Sequence, residues 1–411
     1  SIHENQELFT EMKLGKHPEG AHVLRAKIDM SSPNMLLRDP VMYRILYKTH
    51  HRTADRWCIY PLYDWTHGES DYIEQVSHSL CSLEFKPHRD LYDWFLEALS
   101  PLEKLPPKQR EFARMNLSYT VTSKRKLLEL IEERIVNDWD DPRLPTIAGL
   151  RRRGYTPTSL RNFVDTAGVA KRDNIIDMSL LEFSVREDLN ITAPRVMAVL
   201  DPIKLTISNY PEGKEELLEG EINPEQLELG SRTIPFSKHL LIEREDFKEE
   251  ANRKFFRLTL DKEVRLKNGY IIKGESVVKN DLGMITEIIC SYDPDSKSGS
   301  GTEASMRKVK GTLHWVSEAH ALPAEVRLYD RLFQVEAPDQ DKEVDFKTHV
   351  NPNSLSIINA FVEPSLKTAK AFENFQFQRL GYFVVDPDTT EHKLIFNKTV
   401  GLRDTWSKQN Q

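Results

Sequence analysis

Cysteine is scarce in this sequence, and its few thiols lie far apart. The 411 residues contain only Cys58, Cys81 and Cys290, with no Cys-x-x-Cys spacing. This distribution argues against a disulfide framework and against a structural zinc site, and it favours a reducing compartment. We therefore expect a cytoplasmic protein without zinc or any other bound structural metal.

Long hydrophobic runs and a basic excess are also missing. No run approaches the ~18 apolar residues of a membrane span, so we expect no membrane partner. Residues 1–6 contain neither a basic start nor the apolar stretch of a secretory signal. A first residue other than methionine suggests a trimmed chain. The net charge of -7 argues against non-specific coating of nucleic acid, although it allows local basic patches.

The residues that are present divide the chain into three parts with different patterning. Mixed segments over residues 24–94 predict alternating strands and helices, as in an α/β region. Residues 124–188 have helical apolar spacing, with a helix cap at Thr156. After Ala193, alternation and turns predict many short antiparallel strands, typical of β-barrels or sandwiches. No internal repeat is visible in the sequence.

Individual elements follow from the same patterns. Helices are predicted within residues 71–76, 90–99, 126–133, 146–154 and 159–164. Strands are predicted at residues 41–47, 57–63, 204–208, 240–243, 256–260, 264–273, 311–316 and 325–329. Asn268-Gly269 predicts a hairpin turn inside one of these runs, and the Ser, Gly and Asp content of residues 293–305 predicts a loop.

The most informative short segment is Val121-Thr-Ser-Lys-Arg-Lys, between the α/β and helical parts. Backbone N–H groups, a hydroxyl and lysine charges together complement phosphate oxygens. A solvated basic cap at a helix start is the other interpretation of the same residues.

That segment resembles the KMSKS signature of class I aminoacyl-tRNA synthetases, in the form found in the glutaminyl-tRNA synthetase family, with Thr122 in place of methionine. Five further segments resemble the same family in order along the chain: Leu24-Arg-Ala-Lys-Ile-Asp-Met-Ser-Ser-Pro, Cys58-Ile-Tyr-Pro-Leu-Tyr-Asp-Trp-Thr-His, His78-Ser-Leu-Cys-Ser-Leu-Glu-Phe, Trp139-Asp-Asp-Pro-Arg-Leu-Pro-Thr-Ile-Ala-Gly-Leu-Arg-Arg-Arg-Gly-Tyr and Gly401-Leu-Arg-Asp-Thr-Trp.

The resemblance implies a multidomain protein of α/β plus all-β class. Its expected parts are a partial acceptor-stem-binding insertion at residues 1–60, the second half of a Rossmann-type catalytic domain at 61–122 and a helical subdomain at 123–192. Residues 193–205 with 314–411 would form a proximal antiparallel β-barrel, and 206–313 a distal one, both binding the anticodon. A monomer is expected.

The resemblance also assigns substrate residues. Arg114, Thr122, Ser123 and Lys124 would bind ATP, which enters with Mg²⁺, and Arg114 and Lys124 would stabilise its phosphates during catalysis. Tyr63, His67, Cys81 and Gln109 would bind L-glutamine. Cys81 stands where glutamyl relatives carry arginine, and a neutral thiol offers no cation to a substrate carboxylate. Apart from the resemblance, Arg114 could instead pair with Glu111 on a helix, Tyr63 could be a packed strand aromatic, and His67 a hydrogen-bonded core or surface histidine.

For tRNA(Gln), the resemblance implies five anticodon-binding residues: Arg195, Arg257, Arg265, Gln376 and Arg379. Arginine and glutamine carry planar donor sets that suit the edges of splayed bases. Lys86-Pro87 replaces an acidic acceptor-stem contact of the family. The triplet 151–153 is either a clamp on the tRNA backbone or a solvated helix end.

A class I active site also requires a His-Ile-Gly-His type motif, and none is found in these residues. His50-His51 and Thr66-His67-Gly lack its context. We therefore expect the chain alone not to form glutaminyl adenylate. Two alternatives are a glutamyl-tRNA synthetase of the β-barrel type and a non-catalytic tRNA-binding fragment.

Overall fold

The computed structural model describes residues 1–99 and 104–403. Two compact units result, one from Ser1–Met115 with Gly168–Asn174 and the other from Asn116–Ala167 with Ile175–Gln411. Within the described ranges, none of the helices has the length and apolar content needed to cross a bilayer.

The first unit contains a small sheet and a parallel pair of strands. Its elements are α1 Ile2–Lys13, β1 Val23–Arg25, β2 Val41–Ile45, β3 Ile59–Pro61, α2 Tyr63–Glu74, β4 His78–Ser82, α3 Arg89–Leu99 and β5 Lys108–Phe112. β1, β2 and β3 pair antiparallel, whereas β4 and β5 pair parallel. Because α3 connects β4 to β5, these elements form a β-α-β unit, as an α/β region requires.

The apolar spacing of α3 explains why it forms and where it packs. Leu91 and Phe95, four residues apart, are buried on one face together with Ala26. On the adjacent face, Tyr92 and Leu96 pack against Tyr72 of α2. Both faces of α3 therefore anchor it inside the first unit.

Helices and two short strands fill the start of the second unit and its boundary. They are β6 Met115–Leu117, α4 Lys124–Glu132, α5 Ile147–Arg152, α6 Pro157–Ala167, β7 Asn174–Ile176 and α7 Met178–Thr192. The predicted cap at Thr156 is confirmed, since its Oγ1 accepts from Ser159 N at 3.0 Å. Thr146 caps α5 in the same way. Leu127 and Leu130 of α4 are buried in one cluster with Phe333 and Phe346.

After Thr192 the chain builds two mixed sheets. The strands are β8 Arg195–Val196, β9 Ala198–Val199, β10 Pro202–Ile207, β11 Glu216–Glu221, β12 Ser231–Phe236, β13 His239–Glu243, β14 Glu263–Leu266, β15 Ile271–Lys279, β16 Ile285–Tyr292, β17 Thr312–Leu313, β18 Val316–Ser317, β19 Leu322–Tyr329, β20 Leu355–Val362, β21 Asn374–Phe377, β22 Gly381–Val385 and β23 Leu394–Val400; a short helix, α8, spans Glu303–Met306. The first sheet has the order β17-β14-β15-β16-β10-β13-β18 and the second β8-β21-β22-β23-β19-β20-β9, while β11 and β12 form a separate pair.

Each sheet curls into a barrel-like shape because its two edge strands are neighbours in the sequence. Only His314 and Trp315 separate β17 from β18, and only Met197 separates β8 from β9. A chain spans at most about 3.5 Å per residue, so the two edges of each sheet lie within roughly 10 Å of one another. One apolar cluster fills each interior, with residues from every strand of its sheet.

The two sheets share one topology. In each, an antiparallel pair (β10 with β13, β19 with β20) joins a three-strand meander (β14 to β16, β21 to β23) through a parallel pairing. The registers also agree, since Arg265 is opposite Thr312 in the first sheet and Gln376 is opposite Arg195 in the second. The repeat therefore exists in the topology although the sequence shows none.

Several predicted elements need correction. The barrels are mixed rather than purely antiparallel, because β10 pairs parallel with β16 and β19 with β23. Residues 256–260 form no strand: Leu258 and Leu260 make isolated bridges only. Residues 311–316 divide into β17 and β18, since this segment crosses from one sheet edge to the other. The predicted strand at 57–63 ends at Pro61, and Tyr63 begins α2. The hairpin at Asn268-Gly269 is confirmed, with Asn268 at φ 58°.

Candidate functional site

A cavity of about 430 Å³ in the second unit brings together three of the five predicted anticodon residues. Arg195, Gln376 and Arg379 line it. Gln376 lies opposite Arg195 in the register of β21 and β8, and Arg379 follows in the turn between β21 and β22 at φ 68°. The cavity thus presents guanidinium and amide groups, which can donate to and accept from base edges.

Residues that the sequence analysis missed line the other side of this cavity. They come from the equivalent turn and bridging segment of the first sheet: Lys267, Asn268 and Thr312. From the shared register, Thr312 corresponds to Arg195, Lys267 to Gln378 and Asn268 to Arg379. Asn268 and Arg379 even share a left-handed backbone conformation. The only signal in the sequence was the Asn-Gly turn, because the equivalence of the two turns is visible only in the topology.

A buried carboxylate orients Arg379. Asp246 is fully buried and accepts from both Nη1 and Nη2 of Arg379, the latter at 2.7 Å. Burial opposes the charge of Arg379, but its hydrogen bonds to Asp246 raise the pKa of the guanidinium above its usual value. Nη1 also lies 3.1 Å from Nδ1 of His314. Because a guanidinium only donates, Nδ1 accepts, and the Nε2–H of His314 is left to face Glu243 at 3.4 Å.

The same carboxylate serves a second predicted anticodon residue. Arg257 places Nη1 3.1 Å from Asp246 Oδ1 and 2.8 Å from Glu245 Oε1. Asp246 therefore links Arg257 to Arg379, although Arg257 does not line the cavity. Two of the five residues share one counter-ion, which fixes their positions relative to each other.

Arg195 and Gln376 are positioned by hydrogen bonds to Asn190 and Tyr382, respectively. Arg195 Nη2 donates to Asn190 Oδ1 at 3.2 Å, and its buried Nε has no hydrogen-bond partner in the part of the chain that the structure describes. Gln376 Nε2 donates to the Tyr382 hydroxyl at 2.9 Å. Both side chains are therefore fixed in position, and each keeps N–H groups that can donate to a ligand.

Arg265 lies apart from the cavity. Its guanidinium donates to the carbonyl oxygens of Ser296 at 2.9 Å and Ser305 at 2.8 Å. Burial, with Arg307 close by, lowers the pKa of Arg265. In this structure Arg265 holds the loop after β16, and the loop predicted at residues 293–305 contains α8.

In the first unit, the residues predicted to bind glutamine form a connected group. Tyr63 begins α2 and is 47% exposed, so the alternative of a packed strand aromatic is wrong. One turn later, His67 Nδ1 lies 3.3 Å from the Tyr63 hydroxyl, and its Nε2 lies 3.4 Å from Asp71 Oδ2. The Tyr63 ring stands 4.6 Å from that of Phe85. Tyr63 therefore presents a hydroxyl at a partly open surface.

Cys81 and Gln109 lie on the adjacent parallel strands β4 and β5. Burial raises the pKa of the Cys81 thiol, and the Glu111 carboxylate raises it further, so Cys81 is a neutral thiol near pH 7. Gln109 is buried, and its Nε2 donates to Phe85 O at 3.0 Å and to Glu111 Oε1 at 2.9 Å. Phe85 thus contacts both Tyr63 and Gln109.

Arg114 does not have the alternative role considered from the sequence. The expected helix is instead strand β5, and Glu111 is bonded to Arg89, whose Nε lies 2.9 Å from Oε1. The hydrogen bond from Arg89 lowers the pKa of Glu111 to about 2. Arg114 is exposed in the first unit.

The segment at residues 121–124 leads into α4 in the second unit. Val121 is buried, whereas Thr122 and Lys124 are exposed. Ser123 occupies the N-cap position, but its hydroxyl makes no capping hydrogen bond. Hence the first N–H groups of α4 and the Lys124 ammonium are presented together, an arrangement that suits phosphate oxygens.

The triplet 151–153 has neither of its two predicted roles as a whole. Arg152 donates to both carboxylate oxygens of buried Asp386, at 2.9 and 3.0 Å, and also contacts Asp140 and Asp388. Arg153 is half-buried over the Tyr329 ring at 5.7 Å. Arg151 alone is exposed. The sequence could not distinguish these roles, because Asp386 and Asp388, which bind Arg152 together with Asp140, lie more than 200 residues away.

Among the residues with described positions, no three His, Cys, Asp or Glu side chains are grouped in a way that could hold a metal ion.

Known families and proteins match the chain along nearly its entire length. Residues 1–191 match the catalytic domain of class I tRNA synthetases (E and Q), and residues 193–293 and 312–386 match two anti-codon binding domains of the same class. The chain is 57% identical over 405 residues to a glutamine–tRNA ligase of Rhodopirellula baltica, covering 98% of this chain and 67% of the relative.

Two other relatives give the same result. A glutamine–tRNA ligase of Proteus mirabilis is 54% identical over 99% of this chain, and one of Salmonella paratyphi B is 53% identical over 100%. The chain covers 72% and 73% of these relatives, respectively. The chain therefore belongs to the class I tRNA synthetases of the glutamate and glutamine type, among the glutamine–tRNA ligases.

Proposed function

We propose that this chain carries the tRNA-reading part and a portion of the active site of a glutaminyl-tRNA synthetase. The enzyme would activate glutamine with ATP and transfer it to the 2′-hydroxyl of the terminal adenosine of tRNA(Gln). The observation that carries this proposal is identity of 53–57% with glutamine–tRNA ligases over 98–100% of the chain. A cytoplasmic monomer fits this role.

The β-rich half would read the anticodon. The cavity between the turns of the two barrel-like sheets offers Arg195, Gln376 and Arg379, and unstacked bases are recognised by such planar donors. Arg257 would act beside Arg379 through their shared Asp246. Arg265 would require its loop contacts to rearrange before it could reach a base. The resemblance divides this half into a proximal barrel, residues 193–205 with 314–411, and a distal barrel, residues 206–313. The boundaries shift by a few residues, because β10 and β18 pair within the sheet of the distal barrel.

The first unit would select the amino acid. A neutral Cys81 beside the Tyr63 and His67 pair offers hydrogen-bonding groups, and the nearby Arg89 is already bonded to Glu111. Glutamate would need a positive partner for its side-chain carboxylate, whereas glutamine would not. We therefore favour glutamine over the glutamyl alternative. Gln109 would act at the pocket edge through its contact with Phe85 O, within the second half of a Rossmann-type domain at residues 61–122, after a partial acceptor-binding insertion at 1–60.

ATP would meet charges and N–H groups from two segments. Lys124 and the start of α4, with Thr122 and Ser123, would bind phosphate oxygens. The resemblance assigns Arg114 of the first unit to the ATP phosphates as well. Their role would be to stabilise the charge that develops as pyrophosphate leaves. Mg²⁺ would arrive as part of the ATP substrate.

The experiment is a comparison of tRNA affinities for the 411-residue chain. We expect tRNA(Gln) to bind more tightly than tRNA(Glu), and substitution in the glutamine anticodon to weaken binding. Equal affinities for all these RNAs would overturn the proposal. Pyrophosphate exchange with glutamine and tRNA should be absent for these residues alone, because they contain no His-Ile-Gly-His type motif. Exchange activity would contradict that part.

A further inference from the structure

A second cavity, of about 350 Å³, lies inside the second unit, and its lining is strongly cationic. None of the residues predicted to bind ATP, glutamine or the anticodon lines it. Its walls come from α7, the segment 142–145 and the ends of β19 and β23. Among the described residues that line it are two with carboxylates, Glu182 and Asp330, and six with cationic side chains: Arg143, Arg153, Arg186, Arg331, Lys398 and Arg403.

Protein carboxylates compensate only part of this charge. Arg143 is bonded to buried Asp141, with Nη2 to Oδ2 at 2.8 Å, and Arg331 lies 3.7 Å from Glu182. In contrast, Arg153, Arg186 and Lys398 have no carboxylate within 4.0 Å in the described ranges. Cations that share a partly buried space repel one another and are costly to desolvate.

Donor groups inside the cavity also lack acceptors. The Nε of Arg153 and the hydroxyl of Thr399 are both buried, and neither has a hydrogen-bond partner among the residues with described positions. Thr399 is fully buried in β23, next to Lys398. Burial, with a smaller contribution from Arg153, lowers the pKa of Lys398 below its usual value, although Asp330 and Glu182 act in the opposite direction. Thr399 Oγ1 lies 2.5 Å from the point that a Cβ on Gly154 would occupy, and Asn374 Oδ1, which also has no partner among the described residues, lies 2.6 Å from it, so an acceptor of the protein stands close to Thr399. Since buried polar groups are normally bonded, the Nε of Arg153 is the donor that indicates a missing acceptor.

We propose that this cavity binds a phosphate group. A phosphate has several acceptor oxygens arranged in three dimensions, so it can accept at once from more than one of the cations that line the cavity, such as Arg153 and Lys398. Its negative charge offsets the cations that no carboxylate neutralises. A single carboxylate supplies fewer oxygens, in one plane, and a metal cation would add to the existing repulsion.

The wall of the cavity is connected through the chain to the segment that is predicted to bind ATP. Tyr119 and Thr120 line the cavity and lead directly into Val121 and residues 122–124, of which Thr122 and Lys124 are exposed. Tyr119 packs under the Arg331 guanidinium at 4.9 Å. A phosphate bound beside these arginines would therefore stabilise the base of that segment.

The test is calorimetric titration of the 411-residue chain with inorganic phosphate and with pyrophosphate, using Lys398→Met and a matched exposed control, Lys367→Met. The control should bind like the wild type, whereas Lys398→Met should weaken binding about tenfold, the size expected for losing one charge-assisted contact. Binding that persists in Lys124→Ala and is weakened in Lys398→Met belongs to the cavity, whereas binding that is lost in Lys124→Ala belongs to the predicted ATP site. Unchanged affinity in Lys398→Met would overturn the proposal.

A second variant guards against a folding defect. Arg186→Gln alters a half-exposed cation of the same cavity and should weaken phosphate binding similarly. Lys398→Met should itself unfold at a higher temperature than the wild type without phosphate, because an uncompensated cation has been removed; a lower temperature counts against the proposal.

Competition with tRNA then identifies the source of the phosphate. Displacement by tRNA indicates a nucleic acid backbone, and persistence indicates a free phosphate compound; failure of both ligands to bind the wild type overturns the site without touching the tRNA synthetase function.

Discussion

Asp246 shows how a residue with no predicted role can govern residues that have one. It is fully buried, yet it accepts from two arginines that arrive from different parts of the β-rich half. Arg257 and Arg379 could be identified from the sequence by resemblance. Their shared counter-ion could not, because Asp246 lies in a 3-10 turn whose sequence is ordinary for a solvated segment. A side chain whose role depends on two partners that are distant in the sequence has no recognisable pattern in the residues around it.

Replacing Asp246 tests this arrangement. Asp246→Asn keeps the shape but leaves two guanidinium groups without their buried charge, so we expect a loss of about 3–5 kcal/mol in the free energy of unfolding. Asp261→Asn is the control, since Asp261 is 91% exposed and lies 3.4 Å from Lys273; its effect should stay within about 0.5 kcal/mol. Urea unfolding followed by circular dichroism measures both. Similar stabilities for the two variants would refute the proposed role.

The pair of Arg89 and Glu111 sets a pH dependence in the first unit. The hydrogen bond from Arg89 lowers the pKa of Glu111 from 4.5 to about 2. Because the folded-state pKa is the lower one, its stabilisation is complete above pH 4.5 and is lost as the pH falls towards 2. Glu111→Gln should therefore lose less stability than the wild type between these pH values. Hydrogen exchange of the β5 amides against pH gives the comparison, and parallel curves would contradict it.

At the scale of elements, local pattern predicted most helices and several strands, and it failed where tertiary pairing decides. The apolar spacing of α3, α4 and α6 and the turn at Asn268-Gly269 are local properties. Residues 311–316 alternate like one strand, but the segment has to serve two opposite sheet edges. The strand predicted at residues 256–260 is wrong, because Leu258 and Leu260 pack inward with isolated bridges only and without continuous strand pairing. Of the cavity's lining, resemblance named Arg195, Gln376 and Arg379, and the second wall was not predicted.

Gly154 shows how tightly α5 is joined to the second sheet. Its φ is 90°, and a Cβ would lie 2.5 Å from Thr399 Oγ1 and 2.7 Å from Val384 Cβ. Gly154→Ala should therefore cost about 3 kcal/mol in unfolding free energy, from backbone strain together with overlap. Gly213→Ala, at φ 68° with open space around it, should cost about 1 kcal/mol from the backbone alone. Equal losses in thermal unfolding would show that the junction is looser than described.

At the scale of the molecule, a chain with net charge -7 can still bind an anion when its cations are concentrated. The two barrel-like sheets repeat one topology, and the cavity between their turns draws residues from equivalent positions of both. Specificity should then reside in contacts within this cavity rather than in overall charge. A substitution that keeps hydrogen bonding but removes charge can separate these contributions.

Arg195→Gln provides that separation through a double-mutant cycle with the RNA. We expect the variant to bind tRNA(Gln) about tenfold more weakly, because one charge-assisted contact is lost. If Arg195 reads a base, the variant and the wild type should bind a tRNA with a substituted anticodon equally, since the contact is already absent. Arg244→Gln removes an exposed arginine outside the cavity and should have the same small effect on both RNAs. An equal tenfold loss for both RNAs with Arg195→Gln would assign Arg195 to the phosphate backbone, because a backbone contact is indifferent to the base.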